Sequence, residues 1–202
     1  MYNSFLLFKN NIADVKGLSE VHRYLEATIS SPFSFDDLLR SQIVYSVSAF
    51  DKLMHDLIRV GMVQIFKGAR PPTPKYLAEP IPMELHREIA TATFPPKEHL
   101  FENAVFNKLK IISYQDPSKI SEGLSYIWNE SQKWQKISEN LPFSDKDMKV
   151  KLKLIAGRRN SIVHEADIDP VTLQKYEITQ TDCDEVTEFL YSCGSEIYKL
   201  VS

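Results

Sequence analysis

The sequence is short of the residues that mark several common protein classes. Six glycines in 202 residues are few for an all-β fold and leave no glycine-rich loop to cradle a phosphate. No P-loop, GxGxxG or GxSxG string occurs, so nucleotide-loop and serine-hydrolase chemistry have no anchor. Among five histidines and two cysteines there is no HExxH and no Cys-x-x-Cys, so no metal and no other cofactor is expected. The one local cluster of ligand types, His164-Glu165-Ala166-Asp167, reads as a solvated helix end. Cys183 and Cys193 fall on one predicted helix, about 15 Å apart at 1.5 Å per residue, and cannot bridge while that helix is intact. No apolar run approaches the roughly 18 residues of a membrane span. The N-terminal run Phe5-Leu6-Leu7-Phe8 is short and lacks a basic leader, unlike a secretory signal. Together with the unpaired cysteines, this predicts a reducing, cytoplasmic setting without membrane contact.

What is present fits one globular domain spanning 1–202. Hydrophobic residues make up 43% and charged residues 25%, too balanced for a disordered chain. The periodicity is helical almost throughout, so the expected class is all-α, a bundle of long helices. Asp14 is a candidate cap for a first helix running to about Ile29, stopped by Ser30-Ser31-Pro32. Asp36 or Asp37 opens the longest periodic segment, to about Lys67, with Leu39, Ile43, Val47, Phe50, Met54 and Leu57 at three-four spacing. Seventeen of the 32 residues from 36 to 67 are apolar, which marks this helix as the central, most buried one.

Seven of the eleven prolines lie within 68–97, where missing donors and fixed φ break helices. That stretch is expected to be an insertion between helices, with one short helix over Met83–Ala92. Pro71-Pro72-Thr73-Pro74 reads as a rigid connector, with a polyproline ligand as the alternative. Further helices are expected over 97–112, 118–140 and 144–166, and a last one over 181–201 capped by Thr181.

The near-neutral total, −3, hides a polarised segment. From Lys146 to Arg159 six cations face one acid, Asp147; from Glu165 to Glu188 eight acids face Lys175 alone. A basic helix of this kind can track a phosphate backbone, with Lys146, Lys149 and Lys153 as the candidate RNA-binding residues; an ordinary solvated face is the alternative. At about 100° per residue these lysines fall near one line with Asn160 and His164, and Asn160 is one turn from the imidazole. Arg159 falls instead into the apolar line of Met148, Leu152, Ile155 and Ile162. An arginine there needs a carboxylate, a phosphate or a partner subunit. Asp51 on the central helix is the candidate carboxylate for Arg158 or Arg159, either in a structural ion pair or in support of a functional arginine. Arg159 and His164 stand roughly 140° apart on an ideal helix. One helix joins them only by unwinding near Gly157 or Asp169-Pro170; otherwise a second copy must complete the site.

Arg159-Asn160-Ser161-Ile162-Val163-His164 matches the R-x4-6-H signature of the HEPN superfamily (higher eukaryotes and prokaryotes nucleotide-binding), and RRNSIVHEAD most resembles HEPN domains of the RiboL-PSP type. Ser46–Leu57 resembles that family's central helix, and Tyr176–Asp182 the stretch after its motif. The resemblance runs from Asp36 to the end apart from the proline-rich insertion, and residues 1–35 match nothing nameable. It implies a dimerising helical bundle and, in many members, a metal-independent endoribonuclease of toxin–antitoxin, anti-phage or RNA-processing systems. By that analogy Arg159, His164 and Asn160 are the catalytic candidates, Asp51 and Arg158 support them, and RNA, a second copy and an antitoxin or defence protein are the partners. Ala166 stands where the H-x-Tyr variant has tyrosine, so tyrosine adenylylation is not implied, and His55 replaces a common Lys or Arg. A non-catalytic dimeric scaffold binding RNA, nucleotide or protein is the alternative; an adaptor presenting the proline-rich segment is a third reading.

Overall fold

The computed structural model describes residues 1–202. It contains nine helices and no strands, only an isolated bridge between Ile168 and Lys175. The chain is therefore all-α, as the periodicity predicts. No helix is long and apolar enough to cross a membrane.

Helix α1 covers Tyr2–Thr28 and buries Phe8, Ile12, Val15 and Ser19 on one face. It begins well before Asp14, because the N-terminal apolar run continues the same stripe. Phe5 stacks on Tyr198 at 4.2 Å between ring centroids, and Phe8 lies 6.0 Å from Tyr191, so the first turns are held by tertiary packing rather than by a cap. Helix α2, Asp37–Phe66, runs through the centre of the molecule. Leu53, Met54, Leu57 and Ile58 are at most 1% exposed, and the helix packs against four others besides α1. It ends in a Schellman motif. Gly68 has φ +73, its N–H donates to the Ile65 carbonyl at 2.9 Å, and the Ala69 N–H donates to the Gln64 carbonyl at 2.9 Å.

The proline-rich segment folds over the outside of this scaffold. Its two helices are α3 (Pro74–Leu77) and α4 (Met83–Thr91), neither with a buried residue. Thr73 is the exception that anchors the segment. Its Oγ1 accepts from the Tyr76 N–H at 3.1 Å and donates to the Ser125 carbonyl at 2.8 Å. Helix α4 leans on α5, Lys97–Leu109.

The single helix expected over 118–140 is two. Helix α6 spans Pro117–Leu124 and α7 spans Lys133–Ser138. The apolar stripe is shared between two short helices that fold back on one another, so Ile120, Leu124, Ile127, Trp134 and Ile137 all reach the same core. The Trp134 indole N–H donates to the Pro117 carbonyl at 3.1 Å, which requires the reversal. Gly123 lets α6 press close against α2 and Tyr114: a Cβ there would lie 2.4 Å from Tyr114 Cε1 and 2.6 Å from Ile58 Cδ1. Helix α8 follows over Asp145–His164, and α9 over Gln180–Val201. The cap of α9 is Thr179, two residues before the expected Thr181; its hydroxyl accepts from the Asp182 N–H at 3.1 Å.

Candidate functional site on helix α8

Local chemistry fixes where α8 starts. The Ser144 hydroxyl accepts from the Asp147 N–H at 3.1 Å, and Asp145 and Asp147 place negative charge in the first turn. Met148, Leu152 and Ile155 then bury one face and orient the other outward. The lysines do not share one environment. Lys149 pairs with Asp145 at 2.7 Å, and Lys151 lies over the rings of Phe143 and Phe189 at 5.2 and 5.0 Å. Lys146 and Lys153 are exposed and form no ion pair.

The two arginines separate. Arg158 turns toward the segment behind α8, where its Nη2 donates to Asp167 Oδ2 at 2.9 Å and to the Glu177 carbonyl at 3.0 Å. Its guanidinium carbon lies 5.3 Å from the Tyr176 ring centroid. Arg40 of α2 meets the same carboxylate: Nε donates to Asp167 Oδ2 at 2.7 Å and Nη2 to the Tyr176 carbonyl at 2.8 Å. Asp167 is fully buried and, like Ala166 before it, has positive φ. Its other oxygen, Oδ1, is buried without a partner. Arg158 is thus tied into a clasp between α2, α8 and the link to α9.

Arg159 points the other way, toward the segment between α5 and α6. Its Nη1 donates to Asn160 Oδ1 at 3.0 Å, and its Nε is buried without a partner. It lines a cleft of about 470 Å³ together with Ser113, Gln115, Lys119, Lys153 and Asn160. The cleft's carboxylate, Asp116, is occupied as the cap of α6, accepting from the Ser118 N–H at 2.8 Å. That contact, with the Ser118 hydroxyl as the largest cause, holds Asp116 below the usual carboxylate range. Three cations against one carboxylate make this a polar, net-positive cleft suited to an anion. Gly157 also borders it, fully open, with nothing within 4 Å of where a Cβ would stand.

The expected contact of Asp51 with Arg158 or Arg159 is absent. Asp51 Oδ1 accepts the Tyr114 N–H at 2.5 Å, and Oδ2 lies 3.8 Å from His55 Nε2. Burial raises its pKa, opposed by the Tyr114 N–H and the charges of His55 and Arg159. Its contribution to the cleft is therefore indirect, because it pins residue 114 and with it the wall formed by Ser113 and Gln115. Arg158 has a nearer carboxylate in Asp167, which explains why it does not reach Asp51.

His164 ends α8, exposed and with no side-chain partner. Asn160 makes no hydrogen bond to it; its Oδ1 accepts from Arg159 instead. Helix α8 is unbroken from Asp145 to His164, so neither site of unwinding occurs before the histidine. Arg159 and His164 therefore stay on different faces of one helix. Lys119, Ser113 and Gln115 were not visible as cleft residues, since they are adjacent to Arg159 only through tertiary packing. Arg40 did leave a signal, an arginine between Leu39 and Ile43 in the apolar stripe of α2.

No curated protein and no solved structure matches the chain. A family model described as RiboL-PSP-HEPN matches residues 9–202. The match includes the proline-rich segment and most of α1, beyond the Asp36 start of the sequence resemblance, as expected if α1 belongs to the same bundle. The chain belongs to the RiboL-PSP-HEPN family.

Proposed function

We propose that the protein is a metal-independent endoribonuclease acting as a homodimer, in a toxin–antitoxin, anti-phage or RNA-processing role. Family membership supports a ribonuclease or nucleotide-binding activity. The observation that carries the nuclease reading is Arg159. Its guanidinium opens into a cationic cleft with an unpartnered, buried Nε, and such a donor is costly to leave unmet. A phosphodiester oxygen is a fitting acceptor, and Lys119 and Lys153 flank the position.

In this reading the RNA 2′-oxygen attacks the adjacent phosphorus and the P–O5′ bond breaks, leaving a 2′,3′-cyclic phosphate and a 5′-hydroxyl. His164 takes the 2′-proton or protonates the departing 5′-oxygen, and solvent carries the other transfer. A positioned acid–base contributes roughly 10²–10⁴ in rate. Arg159 stabilises the charge that builds on the phosphoryl oxygens. The continuous α8 keeps Arg159 and His164 apart within one chain, which supports a composite site: Arg159 from one protomer and His164 from its partner.

The test is cleavage of a mixed RNA pool by wild type and His164→Ala. Wild type is expected to release 2′,3′-cyclic phosphate ends in the presence of a chelator, and His164→Ala to bind RNA at low salt without cutting it. Equal cutting by His164→Ala sinks the nuclease reading. Binding without cutting by the wild type leaves the non-catalytic scaffold as the function.

A further inference from the structure

The connection between α1 and α2 gathers three ligand-type side chains well away from α8 in sequence. His22 and Glu26 are one turn apart on α1, and Asp36 directly precedes α2. His22 Nε2 lies 3.5 Å from Asp36 Oδ1 and 4.0 Å from Glu26 Oε1. Ligand atoms of all three lie within 4.8 Å of one another. The backbone already wraps around them. The Phe35 N–H donates to Glu26 Oε1 at 3.5 Å, and the Asp36 N–H to the Ser34 hydroxyl at 3.0 Å.

The imidazole is the informative member. The His22 side chain is only 11% exposed, and both ring nitrogens are buried without a hydrogen-bond partner. Buried polar nitrogens are nearly always satisfied, so the orphan Nε2, which faces the two carboxylates, asks for a missing partner. Nε2 faces two carboxylates at distances too long for good hydrogen bonds but suited to a shared cation. Ligands at about 2.0–2.1 Å around a tetrahedral ion stand roughly 3.3–3.4 Å from each other. The observed 3.5 and 4.0 Å, and the Glu26–Asp36 separation of at most 4.8 Å, reach that spacing when the two exposed carboxylates move inward by about 1 Å.

We propose that His22 Nε2, Glu26 Oε1 and Asp36 Oδ1 form a binding site for a divalent cation of the Zn²⁺ class, with the remaining position filled by water. One imidazole and two carboxylates suit a borderline transition metal; Mg²⁺ and Ca²⁺ prefer oxygen throughout. Two carboxylates and a neutral imidazole balance the charge of the ion. Glu26 and Asp36 are 51% and 40% exposed, so the ion can arrive from solvent while the imidazole stays fixed. Bound there, the cation ties the last turns of α1 to the start of α2, one turn ahead of Arg40. Its role is to brace the helix pair, and the site takes no part in the chemistry assigned to Arg159 and His164.

The experiment uses full-length protein stripped with a chelator and titrated with ZnCl₂ alone, followed by calorimetry and thermal unfolding. One equivalent is expected to bind, and at a hundredfold excess over Kd the Tm should rise by roughly 5–10 °C, with MgCl₂ giving no rise. CoCl₂ should produce the visible absorption of a low-symmetry, four-coordinate ion. Glu26→Gln and Asp36→Asn, both at the surface, should lose the Tm rise and the cobalt spectrum, as should His22→Gln. If His22→Gln fails to fold, the two carboxylate variants decide. No saturable zinc binding by the wild type overturns the proposal. So does a binding equivalent that survives in the carboxylate variants, because other residues then hold the ion.

Discussion

Arg40 Nε and Asp167 Oδ2 meet at 2.7 Å across 127 residues of chain, and Arg158 Nη2 reaches the same oxygen at 2.9 Å. One fully buried carboxylate thus fixes the segment directly behind His164 to the central helix. The arrangement places the end of α8 under control of α2, although no residue of this clasp touches the cleft around Arg159.

Asp167→Asn should leave two arginines facing a neutral amide in a buried position. Breaking a buried ion pair in this way costs about 3–5 kcal/mol, equivalent in a domain of this size to a Tm fall on the order of 10 °C. Glu165→Gln, two residues away and exposed, serves as the control and should change Tm little. Thermal unfolding of both variants checks this; an Asp167→Asn protein as stable as wild type would mean that the clasp contributes nothing.

Asp51 should matter as an acceptor rather than as a charge. Asp51→Ala orphans the Tyr114 N–H and is expected to lower stability by about 1–3 kcal/mol, whereas Asp51→Asn keeps an oxygen for it. The raised carboxyl pKa also gives a sign. Below the ordinary carboxylate pKa the folded state holds the proton at no disadvantage, and this contribution is lost as pH rises through the raised folded value. Asp51→Asn should therefore gain on wild type between those two pKa values. Denaturant unfolding at several pH values measures the difference, and a gap that narrows with rising pH contradicts the assignment.

The composite-site reading predicts complementation. Arg159→Ala and His164→Ala homodimers should each be inactive. Mixed and allowed to exchange subunits, they form heterodimers in which one of the two sites has both residues intact. About a quarter of wild-type activity should return. A mixture that stays inactive while mass measurement shows heterodimers would exclude sharing of the pair between protomers.

The lysines should not be equivalent in RNA binding. Lys119→Gln and Lys153→Gln should each reduce the slope of log Kobs against log salt by about 0.7 on single-stranded RNA. Lys149→Gln, already neutralised by Asp145 at 2.7 Å, should change the slope less. Lys151→Gln should affect stability instead, since its ammonium lies over Phe143 and Phe189. Titrations at four or five salt concentrations separate these cases, and equal slopes for Lys149→Gln and Lys153→Gln would count against the cleft as the RNA path.

Features written in local periodicity were the legible ones. The stripe of α2 from Leu39 to Leu57, the Ser144 start of α8 and the Pro-rich departure from the bundle are all statements about neighbours along the chain. The reversal between α6 and α7 was hidden, because Ile120, Leu124, Trp134 and Ile137 keep helical spacing whether they lie on one helix or on two that fold back. The site was legible where an arginine broke an apolar pattern, at Arg159. Its wall was not, because the tether from Asp51 to the Tyr114 N–H joins a side chain to a backbone group, and backbone groups carry no residue-specific mark. Asp167 was hidden in a run of surface-type residues; only the fold shows that two positive-φ residues turn it inward.

Gly157 sits inside α8 with open space where a side chain would be. A helix-interior glycine weakens its helix by about 1 kcal/mol relative to alanine, and no contact within the chain compensates here. A single methyl at this position would stiffen α8 and narrow the mouth of the cleft. The native residue instead leaves a bare stretch of backbone in the cleft that Arg159 lines, which under the proposed nuclease reading is a low threshold for a bulky polyanion to cross.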